Sequence, residues 1–286
     1  MVKQTKNKKR TNRKPLTNKS RTKKNSSSLC EQYESVYSIK TQRNELLVGK
    51  LHEPKKPSPT LIITLHGFLS NKNQLLLRQL CTELARAGYN AYRFDFSGNA
   101  DSEGRFEDNT PKKMFQDIHE IIVHFREKKI YEKILLLGHS LGGTLALITA
   151  SRFKIDAVIA IAAPMHTEQF EHRFNAIQRQ ELARTGMTTL LQYKNNMELP
   201  YTITTEFIHQ MKELHPLAAL KDIHCPVFVI QGTNDRVVQQ SNAEELIYAL
   251  FHKELLLIGG ANHLFSNPEH LDAILAGVIA WVAKQK

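Results

Sequence analysis

The stretch Ile134-Leu135-Leu136-Leu137-Gly138-His139-Ser140-Leu141-Gly142-Gly143 decides the fold. Its first four residues form a short apolar run of the kind a buried strand uses. Leu141–Arg152 then continues at helical period, so the serine sits on a sharp turn from strand to helix. Glycines at 138 and 142 leave room for strand and helix to approach each other beside it. A serine on such a turn is exposed above a sheet and faces the free N–H groups of a helix N-terminus. This arrangement predicts a nucleophile at Ser140.

Working outward, other short apolar runs alternate with segments of helical period. Candidate strands are Ser35–Lys40, Glu45–Leu51, Leu61–Leu65, Ala91–Phe96, Ile134–Leu137, Ala157–Ala162, Val227–Ile230 and Glu254–Ile258. The last six are near-continuous in Leu, Ile, Val and Ala, which predicts parallel strands covered on both faces. The first two are more polar and predict an antiparallel edge. Candidate helices are Asn73–Ala87, Lys113–Lys128, Leu141–Arg152, Asn242–Phe251 and Glu269–Ala283. The alternation predicts an α/β chain with a mostly parallel eight-stranded sheet and helices on both faces. From about residue 164 to 220 no strongly apolar strand occurs, and Met, His, Gln and Tyr are frequent. That length exceeds a plain crossover and predicts a small helical cap over the C-terminal edge of the sheet.

A serine hydroxyl needs a base, and the base needs an orienting acid. Gln231-Gly232-Thr233-Asn234-Asp235 follows one strand and Gly259-Gly260-Ala261-Asn262-His263 follows the next, so Asp235 and His263 fall in loops on the same edge as Ser140. Asp101 competes with Asp235 but follows an earlier strand. Among the 13 histidines, His139 reads as packing within the turn, His270 has no matching loop position, and His166 and His172 could line a pocket. Leu65-His66-Gly67-Phe68 ends a third strand. The backbone N–H groups of Phe68 and Leu141 are the candidate oxyanion donors, worth roughly 2.7–4 kcal/mol each in acyl transfer. No metal or cofactor is required by this chemistry, and Cys30, Cys81 and Cys225 lack metal-ligand spacing.

Charge is confined to one end. Of 39 Lys and Arg, eleven lie in residues 1–24, and the remaining 28 equal the Asp and Glu in number. Residues 1–30 are expected to be a disordered basic arm, with a hydrolytic domain over residues 31–286. The arm leaves open a solubilising role, a nuclear address, or binding to nucleic acid or an anionic surface. The body is formally neutral and gives no sign of a nucleic-acid face. No run approaches 18 apolar residues, no apolar leader is visible, and the sparse cysteines favour a reducing, cytoplasmic setting.

The set His66-Gly67, Gly138-His139-Ser140-Leu141-Gly142-Gly143, Gly232-Thr233-Asn234-Asp235 and Asn262-His263 resembles the α/β-hydrolase superfamily. Within it, Phe94–Gly104 and Gly67–Asn73 are similar to loops of bacterial cinnamoyl/feruloyl esterases and serine-aminopeptidase-like hydrolases. Ala100 stands where that group usually has Gly, and Leu141 where many feruloyl esterases have Gln. The resemblance implies hydrolysis of a small-molecule carboxylic ester through an acyl-Ser140, with His263 as base and Asp235 as its orienting acid. A peptide, thioester or monoacylglycerol substrate uses the same residues. Glu168 and Glu171 are the acids available to hold a peptide amine.

Overall fold

The computed structural model describes residues 33–194 and 197–285; the expected basic arm lies outside them. Eight strands form one sheet: β1 (Glu34–Lys40), β2 (Leu46–His52), β3 (Thr60–Leu65), β4 (Asn90–Phe94), β5 (Lys133–His139), β6 (Ala157–Ile161), β9 (Val227–Gly232) and β10 (Lys253–Ile258). Their spatial order is β1-β2-β4-β3-β5-β6-β9-β10. β1 and β2 pair antiparallel, as do β2 and β4, while every pair from β4 across to β10 is parallel. The C-terminal ends of β3, β4, β5, β6, β9 and β10 therefore share one rim.

Alternation along the strands explains the continuous apolar runs, because successive side chains point to opposite faces. Ile134 and Leu136 of β5 enter one core, with Val158 and Ala160 of β6 and Val227 and Val229 of β9. Leu135 and Leu137, Ile159 and Ile161, and Phe228 and Ile230 enter the other. The first core is closed by helices α2 (Pro111–Glu127), α3 (Leu141–Arg152) and α6 (Ser241–Ala249), the second by α1 (Leu75–Arg86) and α7 (Pro268–Lys284). Helix starts follow ordinary capping chemistry. Asn267 accepts a hydrogen bond from the Glu269 N–H at 3.0 Å, and Pro268 occupies the first turn, where a missing N–H costs nothing. Trp281 of α7 stacks on Phe228 with ring centres 5.3 Å apart.

Two expectations are corrected. β10 is the edge strand and is mostly exposed, with Leu255 38% and Leu257 41% accessible, so it is not covered on both faces. An apolar run alone does not separate an edge strand from a central one. The segment between β6 and β9 is also not wholly helical. It holds the 3₁₀ segment Thr167–Arg173, α4 (Ala176–Thr185), a hairpin of β7 (Met187–Lys194) and β8 (Met197–Thr204), and α5 (Thr205–Lys212). Thr188, Thr189 and Gln192 make β7 too polar, and Pro200 interrupts β8, so neither reads as a buried strand. Phe170, Phe174, Phe207 and Met211 of this segment are buried and continuous with the first core.

Candidate active site

Ser140 directly follows β5 with φ 55° and ψ −127°, a backbone that L-residues avoid. Its N–H donates to the Ile161 carbonyl of β6 at 2.8 Å, which holds the turn in place. The flanking glycines are fixed by close approach: a Cβ on Gly138 would lie 2.1 Å from the Gly142 carbonyl oxygen, and one on Gly142 would lie 2.2 Å from that of Leu65. Any larger residue would push helix from strand.

The three residues expected to meet are brought together at the shared rim. His263 Nε2 lies 3.1 Å from Ser140 Oγ, and His263 Nδ1 lies 2.8 Å from Asp235 Oδ2. A carboxylate only accepts, so Nδ1 carries the proton and Nε2 is left to accept from the hydroxyl. Burial alone would raise the pKa of Asp235. Hydrogen bonds from His263 and from the Val238 and Val237 N–H groups outweigh it and hold the carboxyl below its ordinary value. Asp101, the competing acid, instead bonds the Lys72 ammonium.

His139 does more than pack. The Gln74 side-chain amide donates to its Nδ1 at 2.9 Å, and its Nε2 donates to the His263 carbonyl, also at 2.9 Å. Burial, with the neighbouring His263, pushes its pKa down to about 4, so the ring stays neutral and ties the His263 loop to the turn. Sequence pattern placed His139 beside Ser140 but carried no sign of a partner 124 residues away. Beside it, His66 Nε2 accepts from the Phe96 N–H at 3.2 Å, and Nδ1 lies 2.9 Å from the Gly67 carbonyl oxygen. This anchors the loop that presents Phe68. No protein acceptor among the described residues takes the N–H of Phe68 or of Leu141.

A cavity of about 840 Å³ opens over Ser140 and His263, walled by Phe68, Leu141, residues of the 3₁₀ segment, residues 236–239, Ser241 and Asn242. Phe170 meets Phe68 edge-on at 4.9 Å and Phe207 at 5.3 Å, giving the cavity an aromatic wall. His166 and His172 line it, as expected. His166 lies between Glu168 and Glu245, and its hydrogen bond to Glu245 chiefly raises its pKa. His270 lies on α7 and not on this cavity. Among the described residues no group of three or more His, Cys, Asp or Glu could hold a metal ion, and no helix is long and apolar enough to cross a membrane.

A mostly parallel sheet whose rim brings together a strained serine, a carboxylate and a histidine, in that chain order, defines an α/β-hydrolase. The family model described as serine aminopeptidase, S33, matches residues 56–201, and the chain belongs to that family of hydrolases. It is 24% identical over 244 residues to esterase EstD of Thermotoga maritima, an alignment covering 78% of this chain and 59% of that relative's length. It is 28% identical over 218 residues to the mitochondrial palmitoyl-protein thioesterase ABHD10 of Rattus norvegicus, covering 74% of this chain and 69% of that one. Among solved structures, Est1E of Butyrivibrio proteoclasticus bound to ferulic acid superposes with a TM-score of 0.75 at 19% identity, over 87% of this chain and 98% of its own. Mouse ABHD10 superposes with a TM-score of 0.71 at 22% identity, over 88% and 100%. These likenesses bear out the hydrolase fold and the esterase-like kinship expected from the motifs.

Proposed function

We propose that this chain hydrolyses carboxylic esters through an acyl-enzyme formed on Ser140. The observation that carries the proposal is the continuous hydrogen-bonded line from Asp235 through His263 to Ser140 at the floor of a cavity. His263 Nε2 takes the hydroxyl proton as Ser140 Oγ attacks the acyl carbon, and Asp235 stabilises the imidazolium. The tetrahedral oxyanion is held by the N–H groups of Phe68 and Leu141. As the C–O bond breaks, His263 returns the proton to the leaving alcohol. Water then attacks the acyl carbon with His263 again as base, releasing the acid and free Ser140. The segment between β6 and β9 acts as the cap that shapes the acyl site.

Thioester cleavage is the second reading, favoured by the thioesterases among the relatives. The same residues perform it, with a thiol leaving. Peptidase chemistry is less well supported, because among the described residues no carboxylate lines the cavity to hold a substrate amine. Glu168 is engaged by His166 and Glu171 by Lys212.

Ser140→Ala tests the proposal. Turnover of p-nitrophenyl butyrate should fall on the order of a million-fold, and labelling by a fluorophosphonate should vanish while circular dichroism is unchanged. Retained turnover would sink the acyl-serine mechanism. Comparing oxygen esters with acyl thioesters of equal chain length separates the two readings.

A further inference from the structure

Two guanidinium groups line the cavity above Ser140, Arg173 at the end of the 3₁₀ segment and Arg236 directly after Asp235. Neither has an ion pair or hydrogen bond among the described residues. Of the other basic side chains near the cavity, His166 already contacts Glu168 and Glu245, and Lys212 pairs with Glu171. Among the described residues no Asp or Glu lines the cavity. Arg173 lies over the Phe170 ring at 5.5 Å, so its planar fork is backed by the aromatic wall. Burial lowers its pKa, and the one carboxylate acting on it from a distance is Asp235. That carboxylate is already occupied by His263, Gln231 and two backbone N–H groups. A cleft lined by one sign of charge concentrates ligands of the other sign.

We propose that Arg173 and Arg236 form a specificity site for an ester that carries a carboxylate, so that anionic esters are the preferred substrates. This rests on the esterase reading of Ser140. The charge can sit at the far end of the acyl chain or on the leaving alcohol, and guanidinium recognition of a carboxylate is the same in both.

The test uses two matched pairs of esters. In the acyl arm, the monoanionic p-nitrophenyl ester of glutaric acid is compared with p-nitrophenyl pentanoate. In the alcohol arm, 4-carboxyphenyl butanoate is compared with 4-carbamoylphenyl butanoate. The carboxylate member of at least one pair should show a kcat/KM tenfold or more above its neutral partner, and the arm that does so locates the charge. That preference should shrink as NaCl rises from 20 to 500 mM. It should also drop at least tenfold in the Arg173→Gln/Arg236→Gln double variant. Ratios at or below one in both pairs, or a ratio unchanged by both salt and the double variant, overturn the inference and leave the esterase reading standing. Failure to turn over any of the four esters, with Ser140 unreactive toward a fluorophosphonate, overturns both.

Discussion

Asp95 and Asp235 invite comparison. Each follows the C-terminal end of a parallel strand, β4 and β9, each is buried, and each is wrapped in donors. Asp95 accepts from the Lys72 N–H at 2.7 Å, from the Lys72 ammonium and from the Asp101 N–H. Asp235 accepts from His263, Gln231 and the N–H groups of Val237 and Val238. Each cluster also contains one buried histidine, His52 between Arg93 and Glu34, and His139 beside His263. The difference lies in the partner. The Lys72 ammonium only donates and pins the loop after β3, whereas the His263 imidazole bonds the carboxylate through one ring nitrogen and a hydroxyl through the other. A buried carboxylate marks reactive chemistry only when its partner titrates and has somewhere to send the proton.

That contrast can be broken by substitution. Asp235→Asn keeps the shape but removes the charge that fixes the His263 tautomer, and kcat for ester hydrolysis should fall about ten-thousand-fold with little change in unfolding midpoint. A drop below tenfold would put the two carboxylates in the same structural class. Lys72→Met should do the reverse. Removing one member of a buried pair leaves Asp95 uncompensated and should cost about 3–5 kcal/mol in urea unfolding. Asp95→Asn in the same background should recover part of that loss.

The histidines sharpen the comparison through pH. Burial first, and the adjacent Arg93 second, push His52 down to about 4; burial and His263 do the same for His139. Both pKa values lie below the unfolded value of 6.5, so the unfolded chain takes up protons first as pH falls. Their contribution is complete above pH 6.5 and is lost between 6.5 and about 4, at up to about 1.4 kcal/mol per pH unit for each ring. Urea midpoints measured from pH 7 to 4.5 should fall on this slope, and His139→Gln should flatten it. A slope unaltered by that variant would mean that folding leaves the proton affinity of the ring unchanged. The smallest effect is expected at Ala100, which adopts φ 43° in the loop joining Asp95 to Asp101. Ala100→Gly should raise stability by about 1 kcal/mol, since glycine adopts that backbone without strain.

Much of the site was legible because strand, sharp turn and helix are local patterns, and a parallel sheet puts every strand end on one rim. Ser140, Asp235 and His263 could be placed without coordinates for that reason. The bonds of His139 to Gln74 and His263, and of Lys72 to Asp95, join distant segments, and no local periodicity encodes them. The β7–β8 hairpin was hidden by its polar composition and Pro200. The unpaired Arg173 and Arg236 were invisible because nothing in a sequence states which charges lack a partner.

The placement of His263 has one more consequence. Ser140 follows a central strand, Asp235 a strand two places outward, and His263 the outermost strand of all, which has a neighbour on one side only. The imidazole thus hangs from the part of the sheet most prone to fray, held back toward the centre by the tie from His139. On warming, the hydrogen-bonded line from Asp235 through His263 to Ser140 should part at this margin while the interior strands remain zipped, so that the temperature of inactivation is set by the rim and not by the bulk of the protein.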